Sequence, residues 1–372
     1  MLKPNPFTPQ SGWEPRVFGG REEEALEFRS NLEGALSGRP NHLVVLGEWG
    51  IGKTSLLKQF KRIAQEKGLP ACFFPISRFT EKDKPLDAVY LIAEEMLMGF
   101  PGLKVDSEKL LSLFSKKKSL AQAQIQFTKF LLEMWKAQDA LLAVVLLDDL
   151  QNLLPVSNTI DILRAVLSKD EVIANTRFLF VLSSTPSDWS MFTDKHDPVG
   201  RFFRKRLSVG NLKKEEVLNT VENTLKDTGV NFDNSVKEKI FVYTDGHPYE
   251  VQLLASHLYD GQIEGLVKED AWDGALTNTL KELGKDYFNA LLGKASDREK
   301  DLLKILAEEN KSLAIKDFRT MMIVGRHAKK FPIANIKNFL YRLNEKAIIR
   351  RNMDGSFDIT DRMFREFVLK FH

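Results

Sequence analysis

The sequence predicts an α/β protein in which a parallel sheet lies between two layers of helices, followed by smaller helical parts. Three observations lead to this prediction. Short apolar runs alternate with longer amphipathic segments, a pattern typical of β-α-β units. A glycine-rich stretch joins the first of these runs to a helical segment. Strand-like runs then stop near residue 212, and helical periodicity takes over.

The composition is that of a globular protein with more than one domain. The chain has 372 residues, of which 43% are hydrophobic and 28% are charged. It contains no apolar run long enough to cross a membrane, and its first residues lack the apolar core of a signal peptide. The single cysteine, Cys72, excludes an intramolecular disulfide and a cysteine-rich zinc site. We therefore expect a cytoplasmic protein without a membrane partner.

The charge is unevenly distributed along the chain. Residues 294–372 contain eighteen Lys and Arg against eleven Asp and Glu, whereas the rest of the chain contains thirty-six against forty. A basic C-terminal part on a mildly acidic body favours a polyanionic partner for that part. The alternative is a solvated basic surface without a partner.

The glycine-rich stretch reads GEWGIGKT and follows the apolar run Leu43–Leu46. Glycines allow the backbone to wrap a phosphate chain, and the helix that follows directs its positive end to the same place. Lys53 is expected to reach the β- and γ-phosphates and Thr54 to bind Mg²⁺. This is a Walker A loop, so we predict a three-layer P-loop NTPase core that binds ATP or ADP. The expected nucleotide contacts are Gly47, Trp49, Gly50, Ile51, Gly52, Lys53, Thr54 and Ser55.

A pair of aspartates follows a second strong strand signal, Leu141–Leu147. A carboxylate at the carboxyl end of a buried parallel strand lies beside the phosphate loop. Asp148 is therefore expected to bind Mg²⁺, and Asp149 to polarise the attacking water. The alternative is a turn or a helix N-cap.

Other runs complete the predicted sheet. Further strands are expected at 71–76, 177–182 and 207–209, and helices at 85–99 and 119–137. The strand at 177–182 ends in Ser183-Ser184-Thr185, where a hydroxyl can hold the γ-phosphate or the water, or simply cap a loop. Lys116–Lys118 is expected to be a solvated loop, and Arg201–Arg206 is a basic turn before the last strand.

The remainder of the chain is predicted to form a helical part and a winged helix-turn-helix. Helices are expected at 213–228, 233–243, 248–260 and 271–283, with Gly246 ending one and Pro248 opening the next. A capping box begins at Ser296, a second helix covers 315–322 and a third covers 334–346. Strands at 347–351 and 356–360 then surround a turn at 352–355.

This order of helices and hairpin indicates contact with duplex DNA. The third helix is a candidate for the major groove, and the hairpin for phosphates or the minor groove. Winged helices also bind proteins, so a protein partner is the alternative. The expected DNA-binding residues are Lys337, Arg342, Arg350 and Arg351.

The motifs together resemble a known family. Gly20-Arg21-Glu22-x-Glu24, the Walker loop, Asp148-Asp149, the hydroxyl-ended strand, Gly246-x-Pro248 and the terminal winged helix occur in one order. This set resembles the AAA+-like signal-transduction (STAND) ATPases, most closely their archaeal-type ATPase family and more distantly the origin-recognition initiator ATPases. The resemblance spans roughly residues 15–360.

The resemblance implies a domain division and further site residues. It implies an extended arm at 1–16, an AAA+-like ATPase core at 17–210, a helical lid at 211–285 and a winged helix domain at 286–372. Among nucleotide contacts, it implies that Val17 and Phe18 border the adenine, that Arg21 in the following box contacts the nucleotide and that Pro248 packs on the base or ribose. It also implies that Lys53 and Asp149 act in catalysis, that Ser184 is the sensor and that Arg201 is the arginine finger.

Two features qualify this resemblance. Arg201 is followed by two phenylalanines, so the segment can equally anchor the sheet. If Arg201 instead completes the site of a neighbouring subunit, the protein is a homo-oligomer. His247-Pro248-Tyr249 stands where many AAA+ machines carry a sensor arginine. The sequence therefore predicts a nucleotide-controlled switch coupled to DNA binding, with a regulatory ATPase that binds a protein partner as the alternative.

Overall fold

The computed structural model describes residues 3–10, 13–100, 102–103, 105–114, 119–324 and 333–372. The chain divides into two compact units. The first is Gly20–Gly210, and the second combines the residues up to Gly19 with Asn211–His372. The predicted lysine loop at 116–118 lies outside the described residues.

A five-stranded parallel sheet forms the centre of the first unit. Its strands are β1 (Leu43–Leu46), β2 (Ala71–Pro75), β3 (Ala143–Asp148), β4 (Phe178–Ser184) and β5 (Lys205–Ser208). Their order across the sheet is β2-β3-β4-β1-β5. Because every strand is parallel to its neighbours, the ends of β1, β3 and β4 meet at one edge of the sheet.

Helices cover both faces of this sheet. They are α1 (Glu22–Leu36), α2 (Lys53–Glu66), α3 (Pro85–Gly99), α4 (Ser107–Leu111), α5 (Leu120–Lys136), α6 (Asn158–Leu167), α7 (Asp170–Asn175), α8 (Pro186–Lys195) and α9 (Asp197–Phe202). Alternate strand residues pack against α3, α5 and α6 in one apolar core. The rings of Phe28 and Phe60 stack 4.1 Å apart between α1 and α2. The predicted α/β fold class is thus confirmed.

The second unit is mainly helical. Its first helices are α10 (Lys214–Leu225), α11 (Asn234–Thr244), α12 (Pro248–Asp260), α13 (Trp272–Leu283) and α14 (Asn289–Gly293). The prediction that strands disappear here was wrong in one detail. Two two-residue strands, β6 (Asn231–Phe232) and β7 (Leu266–Val267), pair in parallel, and so short a pair has no periodicity to detect.

The boundary predicted at 285/286 falls inside continuous helix. A five-residue π-helical segment, Gly284–Phe288, joins α13 to α14. A Cβ at Gly284 would lie 2.6 Å from the Phe367 ring, so the glycine permits close packing rather than ending a helix.

Three further helices and a hairpin follow in the predicted order. They are α15 (Asp297–Glu309), α16 (Ile315–Val324), α17 (Ile336–Glu345), β8 (Arg350–Arg351) and β9 (Phe357–Asp358), and β8 pairs antiparallel with β9. A last helix, α18 (Arg362–Phe371), was not predicted. Among the described residues, no helix is both long and apolar enough to span a bilayer.

Candidate nucleotide site and basic helix

The glycine-rich loop joins β1 to α2, and its glycines serve different purposes. Gly50 and Gly52 have φ angles of +73° and +90°, a conformation that side chains disfavour. A Cβ at Gly47 would lie 2.6 Å from the Ile51 side chain. Gly52 is also the residue before α2 and has no side chain to cap the helix. The first N–H groups of α2 therefore point into the loop, an arrangement that binds anions.

Lys53 lies at the centre of the loop. Its Nζ donates hydrogen bonds to the carbonyls of Gly47 (2.8 Å) and Glu48 (2.9 Å). Burial lowers the pKa of Lys53, whereas the carboxylates of Asp148 and Asp149 oppose that change. A buried cation held by neutral carbonyls is well suited to exchange them for phosphate oxygens.

Arg21 connects the phosphate loop to the chain after β5. This buried residue has φ +70°, and its guanidinium donates to the carbonyls of Gly210 (2.6 Å) and Ile51 (3.1 Å) and to Glu24 (3.2 Å). Arg21 was predicted to contact the nucleotide, but its contacts in this structure are with the loop and the chain after β5. Its position indicates that it orders the phosphate loop.

The predicted metal ligands lie together at the end of β3. Thr54 Oγ1 donates to Asp148 Oδ2 at 2.6 Å, and Asp148 is almost fully buried. Mg²⁺ holds its oxygen ligands about 2.1 Å away in an octahedron, so adjacent ligands are about 3 Å apart. The Thr54 and Asp148 oxygens thus fit one edge of a Mg²⁺ site. No set of three or more His, Cys, Asp or Glu in the described ranges suits a metal.

Asp149 occupies a constrained position next to this pair. Its backbone is left-handed, with φ 57° and ψ 47°. Its N–H donates to Ser183 Oγ at 3.0 Å, and its Oδ1 accepts from Gln151 Nε2 at 2.9 Å. Burial, and then the charge of Asp148, raise its pKa. A carboxylate with a raised pKa is a better proton acceptor than an ordinary aspartate.

The three hydroxyls after β4 have three different surroundings. Ser183 donates to Asp148 Oδ1 while it accepts from the Asp149 N–H, so it connects both aspartates. Ser184, the predicted sensor, is fully buried, and its Oγ has no hydrogen-bond partner among the described residues. Thr185 caps α8 by accepting from the Asp188 N–H at 3.1 Å.

Sequence reasoning named Ser183 only as one of three candidate hydroxyls and missed its contact with both aspartates. In the parallel register Leu147 pairs with Leu182, so Asp148 and Ser183 come next on neighbouring strands. Aligning the two apolar runs by their ends would have identified Ser183.

Arg201 lies in α9 with an exposed side chain. The next two residues anchor the helix, since the Phe202 and Phe203 rings lie 5.2 Å and 5.9 Å from the ring of buried His42. The segment can therefore anchor the sheet through its phenylalanines while Arg201 stays exposed, so an arginine-finger role for Arg201 stays a prediction.

Val17, Phe18 and Pro248 belong to the second unit. Val17 and Phe18 are half-buried and precede Gly19, where a Cβ would collide with the Thr220 side chain. Pro248 is the first residue of α12, after left-handed Asp245 and Gly246. Their adenine contacts stay a prediction.

The basic residues of α17 and the hairpin lie beside aromatic rings or acidic side chains. Lys337 lies 5.7 Å and Arg351 5.1 Å from the centre of the Tyr341 ring. Arg342 is half exposed and contacts Glu299, and Arg350 contacts Asp358 at 3.4 Å. The opposite face of α17 is buried through Ile336, Phe339, Leu340 and Leu343, as the periodicity predicts.

Comparison with known proteins identifies relatives of the whole chain. A model of the ATPase domain that occurs predominantly in Archaea matches residues 18–254. An uncharacterised HTH-type transcriptional regulator from Methanocaldococcus jannaschii is 21% identical over 381 residues, covering 95% of this chain and 89% of that protein.

Two solved structures have a similar fold. The ORC2 protein of Aeropyrum pernix, in ADPNP–ADP complexes, has a TM-score of 0.66 at 15% identity, covering 97% of this chain and 95% of that one. A Walker-type ATPase of Pyrococcus abyssi has a TM-score of 0.63 at 16% identity, covering 95% and 96%. At these identities the likeness shows the fold.

Proposed function

The chain belongs to the family of ATPase domains that occur predominantly in Archaea, and on this premise we propose that Mg²⁺-dependent ATP binding and hydrolysis control how its C-terminal part engages duplex DNA. The observation that carries the ATP half is the arrangement of Lys53, Thr54, Asp148 and Asp149 at one sheet edge. The DNA half rests on the basic face of α17 and the hairpin.

Each residue has a distinct part in the proposed hydrolysis. Lys53 binds the β- and γ-phosphates, replacing its two carbonyl partners. Thr54 and Asp148 hold Mg²⁺, which when bound neutralises phosphate charge. Asp149 accepts a proton from the water that attacks the terminal phosphorus. The bond from that phosphorus to the bridging oxygen breaks, and ADP leaves with the bridging oxygen.

The resemblance supports further nucleotide contacts in this proposal. Val17 and Phe18 border the adenine, Pro248 packs on the base or ribose, and Ser184 senses the γ-phosphate. The proposal assigns ATP hydrolysis to the ATPase core at 17–210 and DNA binding to the winged helix domain at 286–372. The helical lid at 211–285 lies between them in the sequence. The complexes of the Aeropyrum pernix protein with ADPNP and ADP support adenine nucleotides as ligands.

DNA binding has two independent supports. Residues 294–372 carry an excess of seven positive charges, and α17 presents Lys337 and Arg342 outward. The Methanocaldococcus relative is described as an HTH-type regulator. A regulatory ATPase whose winged helix binds a protein is the second candidate, because winged helices serve both purposes.

Nucleotide titration tests the ATP half. Trp49 lies in the loop and is 42% exposed, so its fluorescence should change when Mg²⁺–ATP binds. The Lys53→Ala variant should bind ATP much more weakly, because it loses the cation that faces the phosphates. Unchanged ATP affinity in this variant would refute the assignment of the loop.

Titration of labelled duplexes at several salt concentrations tests the DNA half. The full-length chain should bind with log affinity falling by about 0.9 per phosphate contact per decade of salt. Arg350→Glu with Arg351→Glu should weaken binding to all sequences and flatten that slope. Lys109→Glu with Lys129→Glu, two exposed residues of the first unit, is the charge-matched control. Absence of duplex binding with ATP, with ADP and without nucleotide would favour the protein partner.

A further inference from the structure

Glu299 joins the start of α15 to the outer face of α17. Its side chain is 1% exposed although glutamate is rarely buried. It accepts hydrogen bonds from the Ser296 N–H (2.8 Å) and Ser296 Oγ (3.0 Å), which complete the capping box of α15. It also contacts Arg342 Nε at 3.0 Å and Lys346 Nζ at 2.8 Å. Two cations from another helix exceed what a capping box requires.

The charge of Glu299 is stabilised in place. Burial by itself would raise its pKa, but hydrogen bonds from Lys346 and Ser296 outweigh burial and hold the pKa below its usual range. The carboxylate is therefore ionised at neutral pH and pairs with both α17 cations.

Arg342 is held from two sides as a result. Glu299 Oε1 lies 3.0 Å from its Nε in an ion pair, and its guanidinium carbon lies 4.8 Å from the centre of the Phe339 ring. The side chain is nevertheless 51% exposed, and α17 carries it beside exposed Lys337 and Asn338. A guanidinium offers five donors, and because the carboxylate approaches it on the Nε side, the pair of terminal nitrogens is left to face outward, which is the pair that reads a guanine edge bidentately.

We propose that Glu299 is a positioning and specificity-determining residue, which holds Arg342 ready to read a base edge and at the same time weakens the attraction of α17 for phosphates. This inference rests on the proposed DNA binding. One buried carboxylate then has two opposite effects. It favours the preferred sequence, because Arg342 is already ordered when it meets the base. It disfavours all sequences equally through its negative charge.

The test compares two duplexes with the full-length protein. One is a sequence selected from a random library by the wild-type chain, and the other is the same sequence scrambled. In Glu299→Gln, which preserves the capping box and removes the negative charge, affinity for the scrambled duplex should rise. Affinity for the selected duplex should fall, so that their ratio drops about 5-fold to 100-fold.

Two further variants separate charge from position. Glu345→Gln removes one negative charge from an exposed position of the same helix, so both affinities should rise together and their ratio should stay constant. Glu299→Asp keeps the charge but shortens the reach, so the ratio should drop while scrambled binding stays at the wild-type level. Glu299→Asp also provides the test if Glu299→Gln does not fold.

The outcomes are distinguishable. If the wild-type chain selects no sequence and binds no duplex, the proposed DNA function fails and this inference fails with it. If the wild-type chain discriminates and both Glu299 variants keep the same ratio, only the role of Glu299 is overturned. A ratio that falls in Glu345→Gln as much as in Glu299→Gln overturns it too, because charge alone would then explain the effect.

Discussion

At the scale of single residues, Ser183 determines how the two aspartates of the candidate site are held. Its hydroxyl donates to Asp148 and accepts from the N–H of Asp149. The second bond stabilises a left-handed backbone at Asp149, a conformation that costs a non-glycine residue energy. Asp148 faces Thr54, and Asp149 faces Gln151. Adjacent residues of one type thus have separate partners, which predicts separate roles.

The two aspartates should respond differently to the same substitution. Asp149→Asn should keep ATP binding and lose turnover by about 10²-fold to 10⁴-fold, as expected for a proton acceptor. Asp148→Asn should instead weaken the Mg²⁺-dependent part of binding. Trp49 fluorescence and phosphate release measure the two effects. If Asp149→Asn hydrolyses ATP at the wild-type rate, Asp149 is not the proton acceptor, and Gln151, the nearest polar side chain, would then orient the attacking water.

Alanine at Ser183 and at Ser184 distinguishes their roles. Ser183→Ala leaves a buried carboxylate oxygen and an N–H without their partner, so unfolding should become easier by about 1–3 kcal/mol and turnover should fall. Ser184 Oγ has no partner within the described part of the chain, so Ser184→Ala should leave the free energy of unfolding nearly unchanged. A loss of turnover in Ser184→Ala without a loss of stability would support the sensor role. Unchanged turnover would reject it.

At the scale of elements, α18 packs on helices of the second unit that lie far from it in sequence. Its apolar face buries Met363, Phe364, Phe367 and Val368. At its start, Arg362 lies 4.1 Å from the centre of the Tyr243 ring of α11. Asp361 caps the helix by accepting from the Phe364 N–H at 2.9 Å. Asp245 and Glu250, on either side of Pro248, interact with Asp361 electrostatically. The charge of Asp245 raises the pKa of Asp361, and the charges of Asp361 and Asp245 raise that of Glu250, after burial. The segment around Pro248 and α18 therefore share an acidic joint around buried Glu250.

This joint should make stability depend on pH. Burial, with a contribution from Asp245, raises the pKa of Asp361 to about 6, against about 3.9 in an unfolded chain. The folded state thus holds the proton more tightly, and the wild type loses stability as pH rises from about 4 to about 6. Asp361→Asn keeps the helix cap and does not ionise. Its stability relative to the wild type should therefore increase across that window and stay constant above it.

Urea denaturation of the full-length chain at several pH values measures this dependence. Asp354→Asn is the matched control, because hydrogen bonds from Ser356 lower the pKa of exposed Asp354. Its effect on stability should have the opposite sign, with the wild-type contribution lost as pH falls. An Asp361→Asn variant whose relative stability does not change between pH 4 and pH 7 would contradict the acidic joint.

At the scale of the whole molecule, the chain begins and ends in the same unit. Phe7 is buried against Phe232 and Tyr259, with ring centres 6.1 Å and 6.3 Å away. Asn5 donates to the Ser256 carbonyl and to Asp260. The N-terminal arm is therefore packed onto the helical unit, and only then does the chain enter the ATPase unit at Gly20. The segment predicted to border the adenine is thus held by contacts within the second unit.

Self-assembly would be detectable in the concentration dependence of hydrolysis. If Arg201 of one subunit completes the site of another, turnover per subunit should rise with protein concentration. Arg201→Ala should then lower turnover while nucleotide affinity is retained, because an arginine finger stabilises charge in the transition state. Arg204→Ala, an exposed arginine of the same turn, is the control. Turnover per subunit that is constant in a monomeric, fully active protein would reject a role in trans.

The sequence by itself determined the features that depend on neighbours in the chain. The phosphate loop, the strand that ends at Asp148 and the cap at Ser296 are each encoded within a few consecutive residues, so spacing and residue type sufficed to predict them. The same holds for α17, whose apolar face recurs with helical period. Local backbone chemistry and hydrophobic periodicity are sufficient causes of these elements.

Only the tertiary structure decided which distant residues share a contact. Ser183 meets Asp148 across 35 positions, and Lys346 meets Glu299 across 47. The guanidinium of Arg21 donates to the Gly210 carbonyl 189 residues away. The helix predicted at 271–283 continues through Gly284, whose lack of a side chain leaves room for Phe367. Such contacts depend on strand register and on which faces pack together, and neither leaves a periodic signal in the chain.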